Sequence, residues 1–338
     1  MPELTGRATV PIQLDVYGLR LEVGGDWPEV IDEVRRDFAW FGVTDGGTGQ
    51  VEVRVERRAP DYGPFADLEA SFITPRNVVY SSNGRSAIDY NGNALSVFDR
   101  PARSLLVQGE DLHLVHEAIY HFLLSTIGEH LDAIRLPRLH ALGLAKDDGA
   151  VAVLLPSGGG KSTLALQALR DPSVRLISED SPLLDRRGLL HPFPLRIGIN
   201  PHQADQLPSD QVRRIERMEF APKLLLDLDS IRDRIETRSL PLRHLVIGWR
   251  SLGDEAGLTS LPKRAALRPL LREVVVGVGL YQGMEFLLQR GPRDLGGQVT
   301  PALIRSAACA AALRRAQVWR LTLGRDSERN WETLRTLL

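Results

Sequence analysis

The stretch "GAVAVLLPSGGGKSTLALQAL" at residues 149–169 limits the folds open to this chain more than any other. An uninterrupted apolar run of strand length reads as a β-strand buried on both faces. Three consecutive glycines end it, and a helical pattern begins at Lys161. "VRLISED" at 174–180 is again strand-like and carries two acids at its C-terminal end. A βαβ unit of this kind belongs in a parallel or mixed sheet flanked by helices. "KLLLDLDSI" and "LRHLVIGWRSL" read as further strands, and 301–320 as a helix with small residues on its buried face.

The earlier part of the chain has a different rhythm. Residues 8–23 alternate and predict one or two strands. "DWPEVIDEVRRDFAWFG" predicts a helix with Asp26 as N-cap and Gly42 at its stop. "QVEVRVERR" at 50–58 is a strand with one solvated face, and 60–110 holds short strands separated by Asn-Gly and Gly turns. An α+β module built on antiparallel pairing is expected. Residues 109–134 are strongly helical and hold His113, His116, His121 and His130. Glu117, the neighbour of His116, points elsewhere on a helix, so these histidines read as polar-face residues rather than metal ligands. The boundary is expected after residue 134: an α+β domain over 1–134 for acceptor recognition or assembly, then a catalytic domain over 135–338.

The glycine loop has a mechanical reading. In G-x-x-x-x-G-K-[ST], backbone N–H groups wrap a phosphate and the lysine neutralises it. Gly160, Lys161 and Ser162 fit the second half, while Leu155 holds the place of the first glycine. Gly158, Gly159 and Gly160 let successive N–H groups turn around an anion, and the helix start adds its positive dipole end. Ser157 through Thr163 are therefore the expected ATP cradle, with Lys161 on the β/γ-phosphates and Ser162 on Mg²⁺. Lys161 is expected to face solvent unpaired when no nucleotide is bound.

Phosphate binding leaves the reaction open. No Asn-Lys-x-Asp guanine reader and no "LSGGQ"-like transporter signature is present. Glu179 and Asp180, at a strand end where the chain turns, suit a division of labour: one acid on Mg²⁺, the other accepting the proton of an attacking hydroxyl. The shorter Asp180 is expected on the metal beside Ser162, and the longer Glu179 as the base.

These elements in this order resemble the catalytic domain of HPr kinase/phosphorylase. Leu139-His140-Ala141 stands at its His-Gly pair, Ser157–Ser162 at its phosphate loop, Glu179-Asp180 at its Asp-Asp pair, and Leu195–Asn200 at its "EIRGxGIIN"-like stretch. The likeness covers residues 135–205, about a fifth of the chain. Ala141 for glycine, Glu179 for aspartate and the missing first loop glycine depart from the pattern. The layout further resembles HPr-kinase-like proteins of peptide-modification clusters, including kinases of lasso-peptide precursors. The resemblance implies a phosphoenolpyruvate-carboxykinase-like P-loop fold, a mixed α/β sheet with flanking helices, preceded by a smaller α+β domain. It also implies His140 as a partner that tunes Glu179, and Arg196 near the transferred phosphate; Lys223 is a weaker candidate for charge stabilisation. The family's reverse phosphorylase activity is not carried over.

Composition narrows the partners. With 42 basic against 43 acidic residues, no basic field argues for nucleic acid or an anionic membrane. A single cysteine, Cys309, rules out an intrachain disulfide and a Cys-rich metal site. No apolar run reaches the ~18 residues that span a bilayer. The N-terminus lacks a secretion pattern, so a cytoplasmic protein is expected. The reading is an ATP- and Mg²⁺-dependent kinase acting on a serine-type hydroxyl of a protein or peptide. A small-molecule hydroxyl kinase and a non-catalytic ATP-binding regulator are the alternatives, and homo-oligomerisation is left open.

Overall fold

Tyr17 and Gly18 both adopt positive φ, 53° and 86°, which a two-residue hairpin turn requires. They join β1 (Ile12–Val16) to β2 (Leu19–Gly25), an antiparallel pair. The computed structural model describes residues 10–44, 47–82, 84–156, 158–205, 207–216, 222–276, 286 and 299–338. The chain forms two compact units. The first comprises Met1–Ile127, Val212–Leu225 and Gln282–Gly297; the second comprises Gly128–Gln211, Leu226–Tyr281 and Gln298–Leu338.

In the first unit, α1 (Pro28–Asp37) starts with proline at its first turn and has no side-chain cap. The expected cap, Asp26, instead accepts the backbone N–H of Arg57 at 2.7 Å. Gly42 does not stop the helix either: a single 3₁₀ turn, Ala39–Phe41, intervenes, and Gly42 opens β3 (Gly42–Val43). The chain continues through β4 (Val51–Arg57), β5 (Ala70–Ile73), β6 (Val78–Ser82), β7 (Arg85–Asp89), β8 (Ala94–Asp99) and β9 (Ser104–Gly109). The nine strands form one sheet in the order β3-β1-β2-β4-β9-β8-β7-β6-β5. β5 to β9 form an antiparallel meander, but β4 pairs in parallel with both β2 and β9. The expected antiparallel pairing holds for the other pairs of this sheet. β2 and β4 are parallel because α1 carries the chain over the sheet between them, and such a crossover returns the next strand in parallel.

α2 (Leu112–Ala133) buries Val115, Ala118, Ile119, Phe122 and Leu123, and Phe122 meets Phe98 of β8 edge-on at 5.0 Å. His116 and His121 are buried with them, contrary to the polar-face expectation. His116 Nε2 lies 2.9 Å from the buried Asp37 carboxylate, and Arg213 pairs with Asp37 and Glu33. A second ionised or hydrogen-bonding group at each site is what makes such burial tolerable.

The second unit starts its sheet with β10 (Leu142–Lys146), β11 (Gly149–Leu154), β12 (Arg175–Ser178), β13 (Leu183–Leu184) and β14 (Leu189–His191). After β15 (Ile197–Ile199), β16 (Val212–Ile215) and most of β17 (Lys223–Leu226) belong to the first unit. β18 (Leu240–Arg250), β19 (Gly257–Leu261) and β20 (Gln317–Leu323) complete the second. The mixed sheet runs β12-β10-β11-β18, with β14 and β13 beyond; β20 also pairs with β18, and β19 pairs with β20. β11, β18 and β20 are parallel, and β12 points the same way because antiparallel β10 lies between it and β11. The helix expected over 301–320 covers Val299–Arg315 only. From Gln317 the chain is extended, with Val318, Leu321 and Leu323 buried, and the segment becomes β20. Ala308, Cys309, Ala311 and Ala312 are its buried small face, as their spacing predicted. Among the described residues no helix is long and apolar enough to cross a membrane.

Candidate functional site

The strand directions place three chain segments at one edge of the second unit's sheet. β11 ends there and runs into the glycine loop; β12 ends there with Glu179 and Asp180; β10 begins there just after His140. Carboxyl edges of parallel strands are where open α/β sheets bind ligands.

The loop is shaped by its glycines. Gly158 and Gly160 have φ of 73° and 110°, a region that side chains strain to enter. A Cβ on Gly159 would lie 2.8 Å from the Pro156 carbonyl oxygen. α3 (Lys161–Arg170) follows with Gly160 at its N-cap, which supplies no side-chain cap. Such a helix start, approached by a left-handed turn, offers N–H groups to an anion. Ser157 lies outside the described residues. Thr163 Oγ1 accepts from Gln203 Nε2 at 3.1 Å, which ties the far side of the helix to the segment after β15.

Lys161 does not face solvent. Only 6% exposed, it folds back so that Nζ donates to the Leu155 carbonyl at 2.9 Å and lies 2.8 Å from His140 Nε2 and 3.2 Å from Asp180 Oδ1. The expectation of an unpaired ammonium fails because the edge carries a carboxylate and a backbone carbonyl within reach, and a paired charge is tolerated where an unpaired one is not.

His140 is held from both sides. Its backbone N–H donates to the Glu273 carbonyl at 3.3 Å, and that of Ala141 to the Asp180 carbonyl at 3.1 Å. Ala141, where the resembling family has glycine, is fully buried in the apolar core, so its methyl has room. The ring's Nδ1 lies 2.5 Å from Glu273 Oε2, and Nε2 lies 3.2 Å from Asp180 Oδ1. Burial alone pushes the imidazole pKa down, but the bonds to Asp180 and Glu273 outweigh it and raise it to about 9, against the nearby Lys161. For Asp180, burial works upward, and the His140 and Lys161 contacts prevail and hold its carboxyl at about 2.

Glu179 is buried and sits elsewhere in the cluster. Its Oε1 accepts from Ser162 Oγ at 2.5 Å. The expected partner of His140 was Glu179; the structure gives that place to Asp180 and puts Glu179 on the hydroxyl expected to meet Mg²⁺. The physical reason is the strand: consecutive side chains at the end of β12 diverge, one towards α3 and one towards the His140 segment. Among the described residues no group of three or more His, Cys, Asp or Glu side chains forms a ready metal cage. A hydroxyl with one carboxylate is nonetheless what Mg²⁺ uses when phosphate and water supply the other ligands. The pair Ser162–Glu179 therefore fits that ion, where Asp180 was expected beside Ser162.

Arg196 stands half-buried at the entry to β15, a strand packed beside α3. Lys223 opens β17 and belongs to the first unit. Sequence reading missed Glu273 and Arg250. Glu273 carries a signal in retrospect: it and Arg272 are the only charges in "LLREVVV". Arg250, at the end of β18, has its guanidinium beside the loop, 3.5 Å from where a Cβ on Gly160 would sit. A scan against protein-family models and a search of curated proteins gave no match to the chain.

Proposed function

We propose that the chain is an ATP-dependent kinase that transfers a γ-phosphoryl group to a serine-type hydroxyl of a protein or peptide. The observation that carries this reading is the convergence of Lys161, Ser162, Glu179, Asp180 and His140 at the end of a glycine loop and the start of a helix. Phosphoryl transfer asks for positioning and charge stabilisation rather than covalent help, and these residue types supply both.

In this reading the loop N–H groups and the start of α3 take the phosphates, and Lys161 leaves Asp180 to neutralise them. Ser162 and Glu179 would hold Mg²⁺, which when bound neutralises phosphate charge. Asp180, freed of the ammonium and still beside His140, accepts the hydroxyl proton, so the two acids exchange the roles expected from their lengths. Arg250, beside the loop, adds positive charge near the negative charge on the oxygens of the transferred group. The phosphoenolpyruvate-carboxykinase-like fold and the kinship with HPr kinase-like enzymes belong to the same proposal, supported by the order of the motifs along residues 135–205.

The test is product analysis with γ-labelled ATP, Mg²⁺ and serine-containing peptide and protein acceptors. Label on serine supports the reading. Label on small hydroxyl compounds alone moves the acceptor class, and tight ATP binding without transfer or hydrolysis replaces the kinase with a nucleotide-binding regulator.

A further inference from the structure

Glu273 belongs to none of the motifs that point to a kinase, yet it makes the shortest contact to His140. It is 5% exposed, in a segment whose other side chains before and after it are mostly apolar, and it approaches His140 across 133 residues of chain. Its backbone and side chain both engage that one residue. The Glu273 carbonyl accepts the His140 backbone N–H at 3.3 Å, and Oε2 meets Nδ1 at 2.5 Å. The other oxygen, Oε1, is taken by Arg272 Nε at 3.0 Å. With Oε1 so held, Oε2 has one direction to point, and it points at the ring.

A buried carboxylate is costly unless bonded, and a valine or leucine would fill this place in the core at lower cost. What the carboxylate supplies is orientation. An imidazole with Nδ1–H committed to a carboxylate cannot flip, and its Nε2 is presented to whatever lies opposite. Here that is Lys161 Nζ and Asp180 Oδ1. Bare, Nε2 accepts from the ammonium; protonated, it donates to the carboxylate. In both states the Nδ1–H bond to Glu273 is unchanged.

We infer that Glu273 is a positioning residue: it takes the Nδ1 proton of His140 and fixes the ring so that Nε2 serves Lys161 and Asp180 during phosphoryl transfer. This role rests on the kinase reading, whereas the Glu273–His140 bond itself does not. A histidine held between two carboxylates adjusts its second nitrogen without reorienting, which suits a site where Lys161 must leave for the phosphate and Asp180 must be left in register.

The experiment uses the full chain labelled with ¹⁵N-histidine. In the nucleotide-free protein, a strong Nδ1–H···carboxylate bond gives a proton resonance far downfield of ordinary imidazole N–H, identified by its loss in His140→Asn. Glu273→Gln, nearly the same shape, is expected to bring that resonance back to the ordinary region, and Glu273→Leu to abolish it. Turnover of Mg-ATP to ADP is the second readout: kcat should fall about 10–100-fold in both variants, with KM for ATP within about threefold. Absence of the resonance in the wild-type chain, or its survival in Glu273→Leu, overturns the proposal whatever the activity. Loss of the resonance with unchanged kcat also overturns it, leaving Glu273 as a core ion-pair residue. Should the wild-type chain turn over no Mg-ATP, the kinase reading and this role fall together, and the spectrum still decides whether Glu273 holds His140.

Discussion

Lys161 Nζ lies 2.8 Å from His140 Nε2 and 3.2 Å from the Asp180 carboxylate, inside the protein rather than over the loop. The cation that a phosphate needs is therefore already engaged. An incoming phosphate must compete for it with Asp180 and the Leu155 carbonyl, so affinity reflects a difference between two paired states rather than the capture of a free charge.

Lys161→Met should abolish phosphoryl transfer, a loss of about 100–1,000-fold for one charge-stabilising contact. It should also lower the thermal midpoint, because the buried Leu155 carbonyl loses its donor and Asp180 loses one of its cations; an unsatisfied buried group costs about 1–3 kcal/mol. Calorimetry on the nucleotide-free variant checks the second half. An unchanged midpoint would mean that the Lys161 contacts contribute nothing to the ligand-free fold.

Glu179→Gln and Asp180→Asn should separate along the two arms of the cluster. Glu179 shares Ser162, so its variant should need more Mg²⁺ for the same ATP affinity. Asp180 shares Lys161 and His140, so its variant should keep the Mg²⁺ dependence and lose single-turnover rate. Mg²⁺ titrations of ATP binding together with rapid-quench rates decide it; the reverse pattern returns the metal to Asp180.

His140 makes stability depend on alkaline pH. Its folded pKa is raised from 6.5 to about 9, so its contribution is fully present below about 6.5 and is lost as pH rises through about 9. The urea midpoint of the ligand-free chain should decline across that window. In His140→Gln the same window should be flatter, and an equally steep decline would assign it to another group.

Gly158 and Gly159 should differ on substitution. A Cβ on Gly158 meets nothing within 4 Å, and its φ of 73° is one that asparagine tolerates. Gly158→Asn should therefore keep nucleotide binding within about tenfold, with a cost near 1 kcal/mol. Gly159→Ala pushes a methyl against the Pro156 carbonyl and should distort the cradle, at about 1–3 kcal/mol of strain. Calorimetric titration with Mg-ATP compares them.

In the first unit, Asp37 is fully buried between His116 and Arg213. Asp37→Ala removes one of the two carboxylates on that buried arginine and the partner of His116, and should cost up to about 3–5 kcal/mol. A fragment ending at residue 134 lacks Arg213 altogether and should unfold at lower urea than the first unit does in the intact chain. Equal midpoints for that unit would show that the return of residues 212–225 adds nothing.

By itself the sequence determined the local pieces. The period-two run of β4, the apolar strand β11 and the start of α3 at Lys161 are each set by side-chain pattern or by glycine within a few residues. The glycine loop and the two acids at the end of β12 were legible for the same reason. Tertiary structure decided what those pieces face. The parallel pairing of β4 depends on where α1 crosses the sheet, and the burial of His116 depends on Asp37 and on an arginine from residue 213. Which acid meets Ser162 and which meets His140 depends on how the chain diverges after β12. That Lys161 is paired at all, and that Glu273 lies on the ring of His140, depends on segments up to 133 residues apart meeting at one sheet edge. Local periodicity reports one element's own faces; a buried charge reports its partner, and the partner is chosen by packing over a distance no local pattern encodes.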